Sequence, residues 1–150
     1  EPAASESMFA GIRVLVADDE ENIRQTIGDI LRKHGCTVEC CKDGHEAYSL
    51  LEQQTYDLVI SDIKMPYRNG YEIFAAAQRV RPSMPVMLMT GFGYDPHHSI
   101  VRASQQGLAS VLFKPFKVDQ LLGEVAKAVA QAAKASTGSQ HRSSSRASPR

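Results

Sequence analysis

The chain has 150 residues, enough for one folded core and too few for two large ones. Apolar residues make up 43% and the formal net charge is zero, which gives no general attraction to nucleic acid or to an anionic membrane surface. No apolar run approaches the ~20 residues a membrane-spanning helix needs, and the acidic opening Glu1-Pro2-Ala3-Ala4-Ser5-Glu6-Ser7 lacks the apolar segment of a signal peptide.

Residues 1–9 read as a flexible lead-in without an initiator Met, as expected of a module cut from something longer. The folded unit is expected over 10–135. Its first strand is Ile12 to Ala17, ending at the pair Asp18-Asp19. An amphipathic helix follows through Ile23, Ile27, Ile30 and Leu31, stopping near His34-Gly35. Strand two, Thr37 to Cys41, is more polar and so belongs at a sheet edge. The chain has three cysteines, Cys36, Cys40 and Cys41; with no secretory signal they read as reduced thiols of a cytoplasmic protein. Cys40 and Cys41, adjacent on a strand, point to opposite faces and do not form one metal clamp.

Asp43-Gly44 opens a second helix carrying Ala47, Leu50 and Leu51. Strand three is Asp57 to Asp62, and Pro66 to Gly70 is a loop. A short helix from Tyr71 to Val80 buries Ile73 and Phe74 and ends at Arg81-Pro82-Ser83, because the residue before a proline avoids the helical region. Strand four is Val86 to Thr90. After a long loop from Gly91 to Pro96, a fourth helix is expected from about His97 to Gln106, stopped by Gly107. Strand five is Val111 to Phe113, and the last helix runs from about Val118 to Ala135 through Leu121, Leu122, Val125 and Val129. Residues 136–150 contain no large apolar side chain and are expected to be a disordered Ser/Arg-rich tail.

Alternating strands and helices define an α/β fold: a doubly wound, five-stranded parallel sheet of flavodoxin-like order 2-1-3-4-5. Strands one and three are then neighbours, and their ends bring Asp18, Asp19 and Asp62 to one crevice. Adjacent carboxylates repel unless a cation offsets them. Mg²⁺ suits this role, since it takes oxygen ligands and keeps waters for a phosphate. An acidic helix cap would explain Asp18-Asp19-Glu20 alone. It does not explain Asp62, because Lys64-Met65-Pro66 is no helix start. A carboxylate can attack phosphorus and carry the phosphoryl group. Lys114 at the end of strand five and Thr90 at the end of strand four would neutralise and bind the phosphoryl oxygens. Pro115 holds Lys114 extended and leaves the isomer of their peptide bond open.

These residues resemble the receiver domain of two-component response regulators over roughly Gly11 to Ala133. The resemblance rests on Val14-Leu15-Val16-Ala17-Asp18-Asp19-Glu20, on Asp62-Ile63-Lys64-Met65-Pro66 with Gly70 after it, on Met89-Thr90-Gly91, and on Lys114-Pro115-Phe116. It implies that Asp62 accepts a phosphoryl group from a histidine kinase or phosphotransfer domain. It implies that Mg²⁺ is held by Asp19, Asp62 and the Lys64 backbone carbonyl, with Asp18 acting through water. It also implies that Thr90, Gly91 and Lys114 contact the phosphoryl group, and that this contact switches the face formed by the fourth helix, strand five and the last helix. That face would also serve a homodimer. No direct contact with nucleic acid or membrane is implied, and the domain would be a phosphoacceptor that assists its own phosphorylation and dephosphorylation rather than an enzyme.

Two features depart from the family pattern. The switch position three residues before the lysine, usually aromatic, is Val111, and Phe113 does not occupy the same slot. The segment from Thr90 to Lys114 is longer than usual and contains His97-His98, read as a solvated helix start. The residues after 135 are too few to be read as an output domain, so a hybrid sensor kinase module and a stand-alone regulator are the two settings expected. An aspartyl-phosphate phosphatase of the haloacid-dehalogenase type would need an acid two residues after the nucleophile, where Lys64 stands. A degenerate interaction module would have lost one of the site residues. Gly91-Phe92-Gly93 lacks the third glycine of a dinucleotide fingerprint.

Overall fold

A computed structural model describes residues 9–91 and 108–147. The strands are β1 (Arg13–Ala17), β2 (Thr37–Cys41), β3 (Leu58–Asp62), β4 (Val86–Thr90) and β5 (Leu108–Phe113); the helices are α1 (Glu21–Lys33), α2 (Gly44–Gln53), α3 (Gly70–Val80) and α4 (Val118–Ala147). The sheet order is β2-β1-β3-β4-β5 and each described pair is parallel, which is the expected topology. The helix expected between β4 and β5, and His97-His98 with it, lies outside the described residues, as does the start of the lead-in.

Two apolar layers flank the sheet. On one face Leu15, Val59, Val86 and Leu88 pack with Ala47 and Leu51 of α2 and Ile73, Phe74 and Ala77 of α3. On the other, Val14, Val16, Leu58, Ile60, Met87 and Met89 pack with Ile27 and Leu31 of α1 and Leu121, Val125 and Ala128 of α4. Every residue of β3 and β4 is buried, which is why these strands read as unbroken apolar runs rather than alternating ones. The polar β2 lies at the edge; Cys41 faces the first layer and Cys40 the second, and all three thiols are free.

The helix starts have local causes. The Asp43 side chain accepts from the Glu46 N–H at 2.8 Å. Asn69 and Glu72 form a reciprocal capping box, which begins α3 at Gly70, one residue before the position expected from periodicity. β5 begins three residues earlier than Val111, because Leu108-Ala109-Ser110 continue its ladder after an irregularity in β4 pairing near Val86 and Met87. α4 continues to Ala147, past the expected end at Ala135, so the serine-rich backbone up to that residue is helical rather than coil. Its alanine-rich first half provides the nucleus, and extending a formed helix costs far less than starting one.

Candidate functional site

All five strands run in one direction, so their carboxyl ends line one edge of the sheet. The register sets Ala17 beside both Cys41 and Ser61, Asp62 beside Met89, and Thr90 beside Phe113. Residues at or just after the ends of β1, β3, β4 and β5 therefore meet at the same crevice.

Asp18 is fully buried. Its N–H donates to the Cys41 carbonyl at 3.1 Å, which continues the β1–β2 ladder by one bond. Its Oδ1 accepts from the Glu20 N–H at 2.8 Å, and its Oδ2 accepts from Lys114 Nζ at 2.9 Å. The Arg24 guanidinium donates to the Asp18 carbonyl at 2.8 Å. Glu20, at the N-cap of α1, makes no side-chain capping bond. Its carboxylate instead accepts from Lys114 Nζ at 3.2 Å. The Asp18 and Glu20 carboxylates thus both reach Lys114.

Asp62 is buried at the end of β3, with Lys114 Nζ 3.4 Å from its Oδ1. Asp19 is exposed, and carboxylate oxygens of Asp18, Asp19 and Asp62 all lie within 4.8 Å of one another. Three carboxylates, those of Asp18, Glu20 and Asp62, thus contact one ammonium, and Asp19 adds a fourth beside Asp18 and Asp62. Burial, then repulsion from Asp18, pushes the Asp62 carboxyl up to about 6, against the partial opposition of Lys114. Burial likewise raises Asp18, with the Glu20 N–H and Lys114 pulling it back. Burial works against the Lys114 charge, but its bond and attraction to Asp18, then its attraction to Asp62, outweigh that and hold it above the usual lysine range. A crevice with this excess of negative charge and only hard oxygen donors fits a divalent cation of the Mg²⁺ type.

The remaining residues singled out from sequence are also at this edge. Thr90 is buried, and its carbonyl accepts from the Lys114 N–H at 2.8 Å, which ties the ends of β4 and β5 together. The Lys114–Pro115 peptide is cis. Gly91 is exposed, and a Cβ there would meet nothing within 4 Å, so sterics do not require glycine at that position. Lys64 is exposed on the loop after β3. Val111 is half-buried beside Leu88 and packs against the first apolar layer, while Phe113, one pleat further on, is 60% exposed.

Two structural roles were not visible in the sequence. Glu20 joins the Lys114 cluster, although its position beside the acid pair equally fits a helix start. Gly70 packs against the acceptor strand itself: a Cβ would stand 2.6 Å from the Asp62 carbonyl oxygen and 2.8 Å from the Ile63 Cα. The loop between them contains a strained residue, Tyr67, at φ 73°. A tyrosine in this left-handed region costs on the order of 1–2 kcal/mol.

The model of the response regulator receiver domain matches residues 14–126, and the chain belongs to that family. Among curated relatives, the transcriptional regulatory protein GlrR of Escherichia coli is 36% identical over 122 residues, covering 81% of this chain and 27% of that protein. The DNA-binding transcriptional regulator NtrC of Rhizobium meliloti is 28% identical, covering 82% of this chain and 25% of its own length. The chain thus spans about a quarter of these relatives. Among solved structures, a CheY-like receiver domain protein from Methanospirillum hungatei superposes with a TM-score of 0.75 at 25% identity, over 82% of this chain and 97% of that one. The response regulator TrrA of Thermotoga maritima, solved in complex with Mg²⁺–BeF, gives 0.65 at 30% identity, over 78% and 98%. No helix among the described residues is long and apolar enough to cross a membrane.

Proposed function

We propose that the chain is the phosphoacceptor module of a two-component phosphorelay in the cytoplasm, with Asp62 as the acceptor. The observation that carries this reading is the convergence of three carboxylates and the Lys114 ammonium at the ends of β1, β3 and β5. An Asp62 oxygen forms a bond to phosphorus while the P–N bond to the imidazole of a histidine kinase or phosphotransfer partner breaks; the imidazole keeps the electron pair. Asp19, Asp62 and the Lys64 carbonyl would hold Mg²⁺, with Asp18 reached through water. The ion would offset charge on the phosphoryl oxygens and on the crowded carboxylates. The Mg²⁺–BeF complex of the Thermotoga relative supports that choice of metal.

Lys114 begins bound to Asp18 and Asp62. Transfer of its ammonium to a phosphoryl oxygen breaks those contacts and draws on the β4–β5 ends, which share the Lys114 N–H to Thr90 carbonyl bond. Thr90 and Gly91 would contact the phosphoryl group, and the movement would reach the face formed by β5 and α4, where a partner or a second copy docks. The domain does no turnover chemistry on an external substrate. For the protein as a whole, the names of the curated relatives favour a regulator of transcription, ahead of a hybrid sensor kinase or a stand-alone regulator. Contact with DNA would then fall to another part of that protein.

Acetyl phosphate and Mg²⁺ supply the test. The wild-type chain is expected to gain one phosphoryl group by intact mass, and Asp62→Asn none; equal labelling of the two proteins would reject Asp62 as the acceptor.

A further inference from the structure

The loop of residues 63–69 joins β3 to α3 and carries Lys64. It closes on itself through the Gly70 N–H on the Ile63 carbonyl at 2.8 Å and the Arg68 N–H on the Pro66 carbonyl at 2.9 Å. It is pinned to the start of α2 by the Gly44 N–H on the Pro66 carbonyl at 3.1 Å. Gly44 approaches so closely that a Cβ there would collide with the Arg68 carbonyl. One turn further along α2, the Arg68 guanidinium lies 4.1 Å from the centroid of the Tyr48 ring. Arg79 of α3 engages the same ring, donating to the Tyr48 hydroxyl at 3.0 Å. Neither Arg68 nor Arg79 has a carboxylate partner among the described residues. Their hold on the fold is the Tyr48 ring, through stacking and a hydroxyl bond.

The loop needs such a hold. Tyr67 stands in the left-handed region, and its own side chain is 82% exposed, with an edge-on ring contact to His45 at 6.2 Å. A strained residue persists only where its surroundings fix it. The neighbouring Arg68 is where α2 and α3 grip the loop.

We propose that Tyr48 is a positioning residue: acting through Arg68, it fixes the loop in the shape that presents the Lys64 carbonyl to the cation. The inference rests on the metal-site reading above. Mg²⁺ demands near-ideal octahedral geometry, so a ligand on a loosened loop binds it less well.

The experiment is a titration of the whole chain with magnesium chloride, followed by backbone NMR, together with amide exchange of the metal-free protein. Tyr48→Ala is expected to weaken Mg²⁺ binding about tenfold, the scale of losing a group that orients a ligand, and to speed exchange at Arg68 and Gly70. Tyr48→Phe keeps the ring under the guanidinium and is expected to rescue both readouts. Arg68→Ala, on the surface side of the stack, is expected to match Tyr48→Ala, and the double variant to lose nothing further. Leu50→Ala, half-buried on the same helix against the same apolar layer, is expected to lower stability but leave Mg²⁺ affinity unchanged. Wild-type affinity in Tyr48→Ala or Arg68→Ala, or an equal loss in Leu50→Ala, would overturn the positioning role. A wild-type chain that binds no Mg²⁺ would instead overturn the metal-site reading, and the positioning role with it.

Discussion

Asp62 stands where ionisation is costly, buried beside Asp18 and compensated only in part by Lys114. Its carboxyl is pushed from 3.8 to about 6, so the metal-free folded state holds the proton more tightly than the unfolded state does. Between those pH values the folded chain keeps the proton that the unfolded chain has lost, and stability falls as pH rises through the window. Above about 6 the loss is complete and persists. Asparagine has the same shape and no charge. Metal-free Asp62→Asn is therefore expected to be more stable than wild type at pH 7 by about 1–3 kcal/mol, an advantage that shrinks toward pH 4. Urea unfolding at several pH values with chelator present measures it; equal stability at pH 7 would mean that Asp62 is not strained by its charge. Added Mg²⁺ is expected to narrow the gap by stabilising wild type alone.

At the scale of elements, β5 holds the departure that bears most on switching. Val111 is half-buried against Leu88, and Phe113 beside Thr90 faces outward. A valine has no ring to move between an exposed and a buried position. Val111→Tyr is expected to strengthen phosphorylation-dependent partner binding or self-association, read by ultracentrifugation with and without acetyl phosphate; no change would mean that switching here never depended on a ring. The strands were the most legible elements: burial on both faces leaves β4 a continuous apolar run, and both β4 and the edge strand β2 coincide with their sequence expectations. β5 was read short because Ala109 and Ser110 interrupt its apolar pattern. The site residues were legible because each ends or directly follows a strand, and parallel strands gather their ends. Gly70 against the Asp62 carbonyl and Arg68 on Tyr48 were not, since both depend on contacts between separate elements that no local pattern encodes.

For the molecule as a whole, the apolar layers bear on where the domain ends. Among the residues whose side chains are described, Ala128 is the last buried one and Val129 the last that packs on the second layer. We propose that the domain ends near Ala135 although the helix runs on to Ala147. A chain truncated after Ala135 is expected to unfold within about 0.5 kcal/mol of the whole chain, as surface changes do, while losing helical circular dichroism. A larger loss would place part of the core beyond that residue. Whether one crevice serves both a cation and a phosphoryl group is tested most directly by a crystal structure with Mg²⁺ and beryllofluoride. The expected result is beryllofluoride on the Asp62 carboxylate, a cation bonded to Asp19, Asp62 and the Lys64 carbonyl, and Lys114 moved from Asp18 to a fluorine. Beryllofluoride on any other residue, or a cation bound away from Asp19 and Asp62, would contradict it.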